Sequence, residues 1–256
     1  MTQAISSYPD RSLLAYLKSA LLLLVVLLGT VVFSILMLLV SPFPFGLHFK
    51  LAALWGRFVL AMTKLICGLS YKVTGLENIR NTQTAIVLCK HQSAWETIAL
   101  MALLPPQSVL LKKSLLWLPF WGWAMATLKP IAINRSTPKQ ALSQLLKKGA
   151  IRLQQGFWVV IFPEGTRLAP GEEGKFSASG SLLAQRTGYP IIPIAHNAGE
   201  FWPRNGFVKQ AGVIQLHIGE AIPTEGRKSK EINKEAEAWI KNAMLTIESL
   251  KNNNNL

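Results

Sequence analysis

AIVLCKHQSAWETIALMALL, residues 85–104, reads as a strand that runs into a helix. Ala85 to Cys89 is an unbroken apolar run of strand length, the form of a strand buried on both faces. From Ser93 to Leu104 the chain reads as a helix. Between them stand Lys90 and His91, at the point where a strand would leave its sheet.

The same alternation continues outward. YKVTG (71–75), SVLLKK (108–113), PIAINR (130–135), FWVVIF (157–162), PIIPIA (190–195) and IQLHIG (214–219) read as further strands. SLLWLPFWGWAMAT (114–127) reads as helical at first and then broken by Pro119 and Gly122. ALSQLLKKGAIRLQQ (141–155) reads as a helix capped by Thr137 and Pro138, since proline suits a first helical position. Residues 177–186 read as another helix, and a polar helix from Lys230 closes the chain before the low-complexity tail KNNNNL. Strands spaced by helices predict an α/β fold with a mixed, largely parallel sheet flanked by helices. In such sheets sites gather at the carboxyl ends of strands. That rule selects Lys90-His91, Lys112-Lys113, Asn134-Arg135 and the stretch from Pro163 to Arg167, all expected on one rim.

At 256 residues the chain has room for one good-sized core and an appendage. Half of it is hydrophobic, and the excess lies mostly before residue 70. Residues 19–40, SALLLLVVLLGTVVFSILMLLV, carry no charge and are long enough to cross a hydrocarbon core as a helix. The run is too long for a signal peptide and no A-x-A-like site follows it, which favours an uncleaved anchor. Leu47 to Leu69 is apolar but carries Lys50, Arg57 and Lys64 at intervals of seven, one basic stripe on a helix. It suits an interfacial helix whose lysines reach headgroups, or alternatively a helix covering the catalytic domain. The expected division is an N-terminal membrane-associated helical segment, 1–69, and a catalytic domain, 70–256. The lysines and arginines after residue 47 favour a cytoplasmic face at the cell inner membrane.

The net charge is +14, and between Arg11 and Pro163 only Glu77 and Glu96 oppose sixteen lysines and arginines. Such a surface attracts anionic lipids, phosphorylated small molecules, acidic carrier proteins or nucleic acid. Two cysteines, Cys67 and Cys89, make neither a disulfide framework nor a metal spacing, which suits a reducing compartment.

A histidine at a strand end can take a proton from a hydroxyl near neutral pH, and works best when a carboxylate holds its other ring nitrogen. Glu96, five residues on, could supply that carboxylate. Ser93 to Glu96 is also S-x-x-E, a capping box at a helix start, so the residues leave both readings open. FPEGTR, 162–167, ends a strand in a glycine turn. Gly165 would leave backbone amides open to a phosphate, Thr166 would add a hydroxyl, and Arg167 would grip the anion in a planar fork. Glu164 cannot bind phosphate and is expected to orient Arg167 or a substrate hydroxyl. His48, His196 and His217 have no evident partner and read as structural.

HQSAWE, PIAINR, FPEGTR and YPIIPIA, in that order, resemble the glycerolipid acyltransferases, most of all the bacterial 1-acyl-glycerol-3-phosphate acyltransferases. The likeness covers roughly residues 71–223, and the apolar N-terminus agrees in kind. The family's first block ends in aspartate where this chain has Glu96. The resemblance implies that His91 is general base on the sn-2 hydroxyl of lysophosphatidic acid, with Glu96 holding the imidazole. It implies that Glu164, Gly165, Thr166 and Arg167 form the phosphate site, with Arg135 and Lys112 as secondary contacts. The co-substrate would be acyl-CoA or acyl carrier protein, with membrane lipids as partners and no metal, bound cofactor or nucleic acid. No G-x-S-x-G elbow occurs, so direct transfer is expected rather than a covalent acyl-enzyme. Two rivals remain: the same chemistry on another lyso-lipid, such as a lyso-ornithine lipid or lysophospholipid, and a non-catalytic membrane-tethered module that binds anionic lipid.

Overall fold

Seven strands form at the seven apolar runs among the described residues, which in this computed structural model are 12–134 and 137–253. They are β1 (Leu69–Thr74), β2 (Ile86–Cys89), β3 (Gln107–Lys112), β4 (Ile131–Ile133), β5 (Trp158–Ile161), β6 (Ile191–His196) and β7 (Gly212–Ile218). The helices are α1 (Leu13–Leu39), α2 (Phe45–Cys67), α3 (Leu76–Arg80), α4 (Trp95–Leu103), α5 (Trp121–Thr127), α6 (Pro138–Gln154), α7 (Ser179–Thr187), α8 (Ala198–Phe201) and α9 (Ser229–Asn253). The sheet order is β1-β7-β6-β2-β5-β3-β4, parallel throughout except for the antiparallel β6–β7 pair. β2, β3, β4 and β5 therefore end on one rim, as expected, and β6 ends there too.

Side chains on a strand alternate between faces, and here each face has its own helical cover. Val87, Cys89, Val160, Ile192 and Ile194 join a core with Val59 and Leu60 of α2 and Trp95, Ala99 and Leu100 of α4. Ile86, Leu88, Val159, Ile161 and Ile191 pack with Leu145 of α6, Leu183 of α7 and Ile232 of α9. Burial on both sides is why these strands read as continuous apolar runs.

α2 covers the domain with one side and leaves its basic stripe exposed. Its inner face buries Phe49, Ala52, Gly56, Val59 and Leu60. At Gly56 a Cβ would stand 3.0 Å from the Ile98 carbonyl oxygen, so glycine lets α2 and α4 approach closely. Lys50, Arg57 and Lys64 remain on the exposed side.

α1 is the one helix among the described residues that is long and apolar enough to cross a membrane. One stripe of it, Ala15, Ser19, Leu22, Ser34 and Met37, is buried along nearly its full length. Ser19 Oγ accepts the Lys209 amide at 2.9 Å, and Thr30 Oγ1 accepts the Trp55 indole N–H at 3.3 Å. Leucines such as Leu17, Leu24 and Leu28 cover the opposite side, more than half exposed.

The segment after β3 departs from expectation. Lys113–Trp117 is a 3₁₀ turn, and the break falls at Pro119 and Phe120, the latter at φ 59°. Gly122 lies inside α5, where a Cβ would stand 2.6 Å from the Leu115 carbonyl oxygen. It permits close packing and does not end the helix. Thr137 precedes α6 as expected, but its hydroxyl donates back to the Asn134 carbonyl at 3.4 Å instead of capping an amide.

Candidate active site at the ends of β2 and β5

Lys90 continues β2 for one more residue, its amide donating to the Ile194 carbonyl of β6 at 2.9 Å. His91 then leaves the sheet. Its Nδ1 lies 2.7 Å from Glu96 Oε1, and the same oxygen accepts the amides of Gln92 at 3.0 Å and Ser93 at 2.9 Å. Histidine anchor and helix-start acceptor are thus one carboxylate oxygen doing both tasks. Ser93 Oγ accepts the Trp95 amide at 3.1 Å, so this hydroxyl belongs to the start of α4.

Glu96 is fully buried. Burial alone would push its carboxyl up, but His196, the His91 hydrogen bond and the Ser93 amide outweigh that and hold it below the ordinary carboxylate range. An ionised Glu96 accepts from His91 Nδ1, which puts the ring proton on Nδ1 and leaves Nε2 with its lone pair. Phe162 stacks on the ring at 4.1 Å and 20°, fixing its plane. Nε2 is the atom left to meet a substrate.

FPEGTR forms the turn after β5. Gly165 has φ 69°, a conformation that glycine adopts without strain. Its amide donates to the Phe162 carbonyl at 3.0 Å, so it closes the turn; the expectation of an open Gly165 amide is corrected. The expectation for Glu164 is corrected too. Glu164 accepts from Lys90 Nζ at 2.7 Å and, through its other oxygen, from the His91 amide at 2.7 Å. The reason is topological: β2 and β5 are parallel neighbours, so the residues after them meet. The Leu168 amide donates to the His91 carbonyl at 2.9 Å, tying the far side of the turn to the same residue.

Arg167 is half-buried, its carbonyl accepting from Arg204 Nη1 at 2.9 Å, and Thr166 is exposed beside it. Lys112 is exposed at the end of β3, on the same rim. Arg135 lies outside the described residues. Sequence reasoning missed Lys90 as the partner of Glu164, and missed His196. That histidine is wholly buried at the end of β6, with Nε2 2.8 Å from the Lys90 carbonyl oxygen and 3.9 Å from Glu96 Oε2. The strand-end rule that selected His91 would have selected it too. His48 Nε2 lies 2.6 Å from the Val40 carbonyl oxygen, bridging the turn between α1 and α2.

A strand-end imidazole held by a buried carboxylate, beside a turn carrying an arginine, equips a site to deprotonate a hydroxyl on an anionic substrate. Residues 70–197 match the model of the acyltransferase family. The chain is 44% identical over 240 residues to a 1-acyl-sn-glycerol-3-phosphate acyltransferase of Pseudomonas aeruginosa, covering 92% of this chain and 93% of that protein. It is 28% identical over 193 residues to the human 1-acyl-sn-glycerol-3-phosphate acyltransferase alpha, covering 75% of this chain and 68% of that one. The crystal structure of a 1-acyl-sn-glycerophosphate acyltransferase from Thermotoga maritima shares the fold, with a TM-score of 0.76 at 22% identity over 93% of this chain and 96% of that one. The chain belongs to the acyltransferase family and is an enzyme. Within that family, the relatives just described carry the name 1-acyl-sn-glycerol-3-phosphate acyltransferase.

Proposed function

We propose that this enzyme transfers a fatty acyl group from an acyl thioester to the sn-2 hydroxyl of lysophosphatidic acid, giving phosphatidic acid and a free thiol. The observation that carries the reading is the His91–Glu96 contact at 2.7 Å, supported by the likeness to the Pseudomonas enzyme. His91 Nε2 takes the hydroxyl proton as the oxygen attacks the thioester carbonyl carbon. The tetrahedral intermediate collapses, the C–S bond breaks, and the leaving sulfur receives the proton from the imidazolium. Glu96 stabilises that imidazolium without moving, since three donors hold its oxygen. General base assistance contributes about 10²- to 10⁴-fold, and the remainder comes from holding donor and acceptor together.

Arg167 and Thr166 are the contacts for the acceptor's phosphate, with Lys112 and Arg135 as secondary basic contacts. Gly165 shapes the turn and Glu164 fixes it against His91. The donor is acyl-CoA or acyl carrier protein, both anionic and both suited to a chain of net charge +14. No metal or bound cofactor enters the scheme.

The exposed leucines of α1 lie against the hydrocarbon of the cell inner membrane, the catalytic domain being on the cytoplasmic face. Because α1 is docked along one side, we read it as lying within one leaflet. Trp117, 79% exposed, and Trp123, 47% exposed, extend that lipid-facing surface beyond β3, flanked by Lys112 and Lys113.

The test is thiol release from palmitoyl-CoA by detergent-solubilised enzyme, with and without lysophosphatidic acid, for the wild type and His91→Ala. Release that requires the acceptor and disappears in the variant supports the reading. No release with palmitoyl-CoA or palmitoyl carrier protein, on this or other lyso-lipids, would overturn it in favour of lipid binding without chemistry.

A further inference from the structure

His196 ends β6, fully buried, and no step of the proposed reaction uses it. Its ring nitrogens have opposite partners. The Lys90 carbonyl, 2.8 Å from Nε2, can only accept, while the Ala198 amide donates to Nδ1 at 3.2 Å. These partners select one neutral tautomer, with the proton on Nε2, because a second proton on Nδ1 would set two donors against each other. Burial pushes the His196 imidazole in the same direction, toward the neutral form.

Two consequences meet at the catalytic pair. Cys89 pairs with Ile194 in the β2–β6 ladder, and the Lys90 amide adds the next bond to the Ile194 carbonyl. The His196 side chain then supplies the bond that follows, holding the Lys90 carbonyl beyond the end of β2. His91 projects from the far side of that same peptide. Meanwhile Glu96 Oε1 takes three hydrogen bonds, whereas Oε2 is buried with none. At 3.9 Å, His196 Nε2 is too far from Oε2 for a hydrogen bond, but it lies close to that oxygen inside the buried site.

We propose that His196 is a positioning residue for acyl transfer: its neutral Nε2–H anchors the peptide from which His91 projects and presents a fixed positive edge to the free oxygen of Glu96. The role rests on the reading of His91 as base. The charged and titratable groups around the ring are Glu96 from α4 and Lys90 and His91 from the loop after β2, with Glu164 beyond Lys90.

The experiment compares wild type, His196→Gln and His196→Phe in acceptor-dependent thiol release from about pH 5.5 to 9, the range that brackets a histidine base. The Phe variant is expected to lose about 10- to 100-fold in kcat, with KM for lysophosphatidic acid within about twofold. Its acid limb should move to higher pH, because loss of the positive edge lets the His91–Glu96 pair hold its proton more tightly. The Gln variant, which keeps a donor, should recover most of kcat and the position of the limb. A Phe variant with wild-type kcat and an unmoved limb would overturn the proposal, as would a Gln variant as impaired as Phe. Nitrogen NMR of the ¹⁵N-histidine wild-type enzyme tests the tautomer independently of variant folding. A neutral Nε2–H ring across the rising limb is expected, and a protonated ring or an Nδ1–H tautomer defeats the role. A wild type without acceptor-dependent release would instead overturn the reaction itself, and this role with it.

Discussion

The Glu164 carboxylate takes the backbone N–H of His91 at 2.7 Å, so the residue expected to serve the phosphate turn fastens the His91 loop instead. Its other oxygen holds Lys90 at 2.7 Å, with both side chains largely buried. The turn carrying Arg167 and the loop carrying His91 are thus joined into one unit.

Glu164→Ala should therefore damage both stability and turnover. Removing one partner of a buried ion pair costs about 3 kcal/mol, and freeing the His91 amide should lower kcat about 10- to 100-fold. Glu164→Gln, which keeps an acceptor for the amide, should retain more of kcat. Denaturant melts and steady-state kinetics on the same preparations check both; wild-type kcat in the Ala variant would refute the fastener role.

His91→Ala should abolish measurable transfer, a loss of at least about 10²-fold, while Ser93→Ala leaves most of it. Ser93 Oγ is occupied by the Trp95 amide. Thiol-release rates decide, and the reverse ranking would point to a serine nucleophile.

Glu96→Asp should also be slow, although the family pattern has aspartate at this place. A side chain shorter by one methylene cannot reach His91 Nδ1 and the amides of Gln92 and Ser93 together from the present position of α4. A displacement of about 1 Å costs on the order of 10²-fold in kcat. Full activity in the variant would mean that α4 shifts freely to compensate.

Much of this site was readable in the sequence because its determinants are local. β2 and β5 are buried on both faces, so IVLC and WVVI stand out as apolar runs, and the strand-end rule then delivers His91 and the FPEGTR turn. The competition between helix cap and histidine partner at Glu96 could not be decided from spacing, since one oxygen makes both contacts. What lay hidden depends on which strands are neighbours. Lys90 meets Glu164 only because β2 lies beside β5, and His196 reaches Lys90 only because β6 flanks β2 on its other side. Nor does IQLHIG reveal that β7 runs antiparallel to β6.

Arg167→Ala should raise KM for lysophosphatidic acid about 10- to 100-fold with a smaller change in kcat, the value of one charge-assisted contact to phosphate. Lysolipid acceptors without a terminal phosphate should show no such difference between wild type and variant. Acceptor titrations at saturating donor distinguish these outcomes.

Acid should unfold the enzyme in two stages. Burial lowers the His196 pKa below its ordinary 6.5, so the unfolded chain binds the proton first. The stability from keeping this ring neutral is present above pH 6.5 and is lost as pH falls toward the folded value. Glu96, lowered from 4.5, adds a second loss below that pH, of the same sign. Melting temperature measured against pH should fall first in the histidine window, and His196→Phe should flatten that first step.

α1 also governs how this enzyme can be handled at the bench. Its Gly29 nests against Phe58, and its serine and threonine hydroxyls bond to the Lys209 amide and the Trp55 indole. A chain trimmed to begin at α2 would not yield a water-soluble catalyst. It would uncover Trp55 and Phe58, exchanging one oily surface for another, and would take Leu22 out of the core that supports α4. α1 is packed onto the rest of the chain, so purification must carry the helical hairpin along with the chemistry.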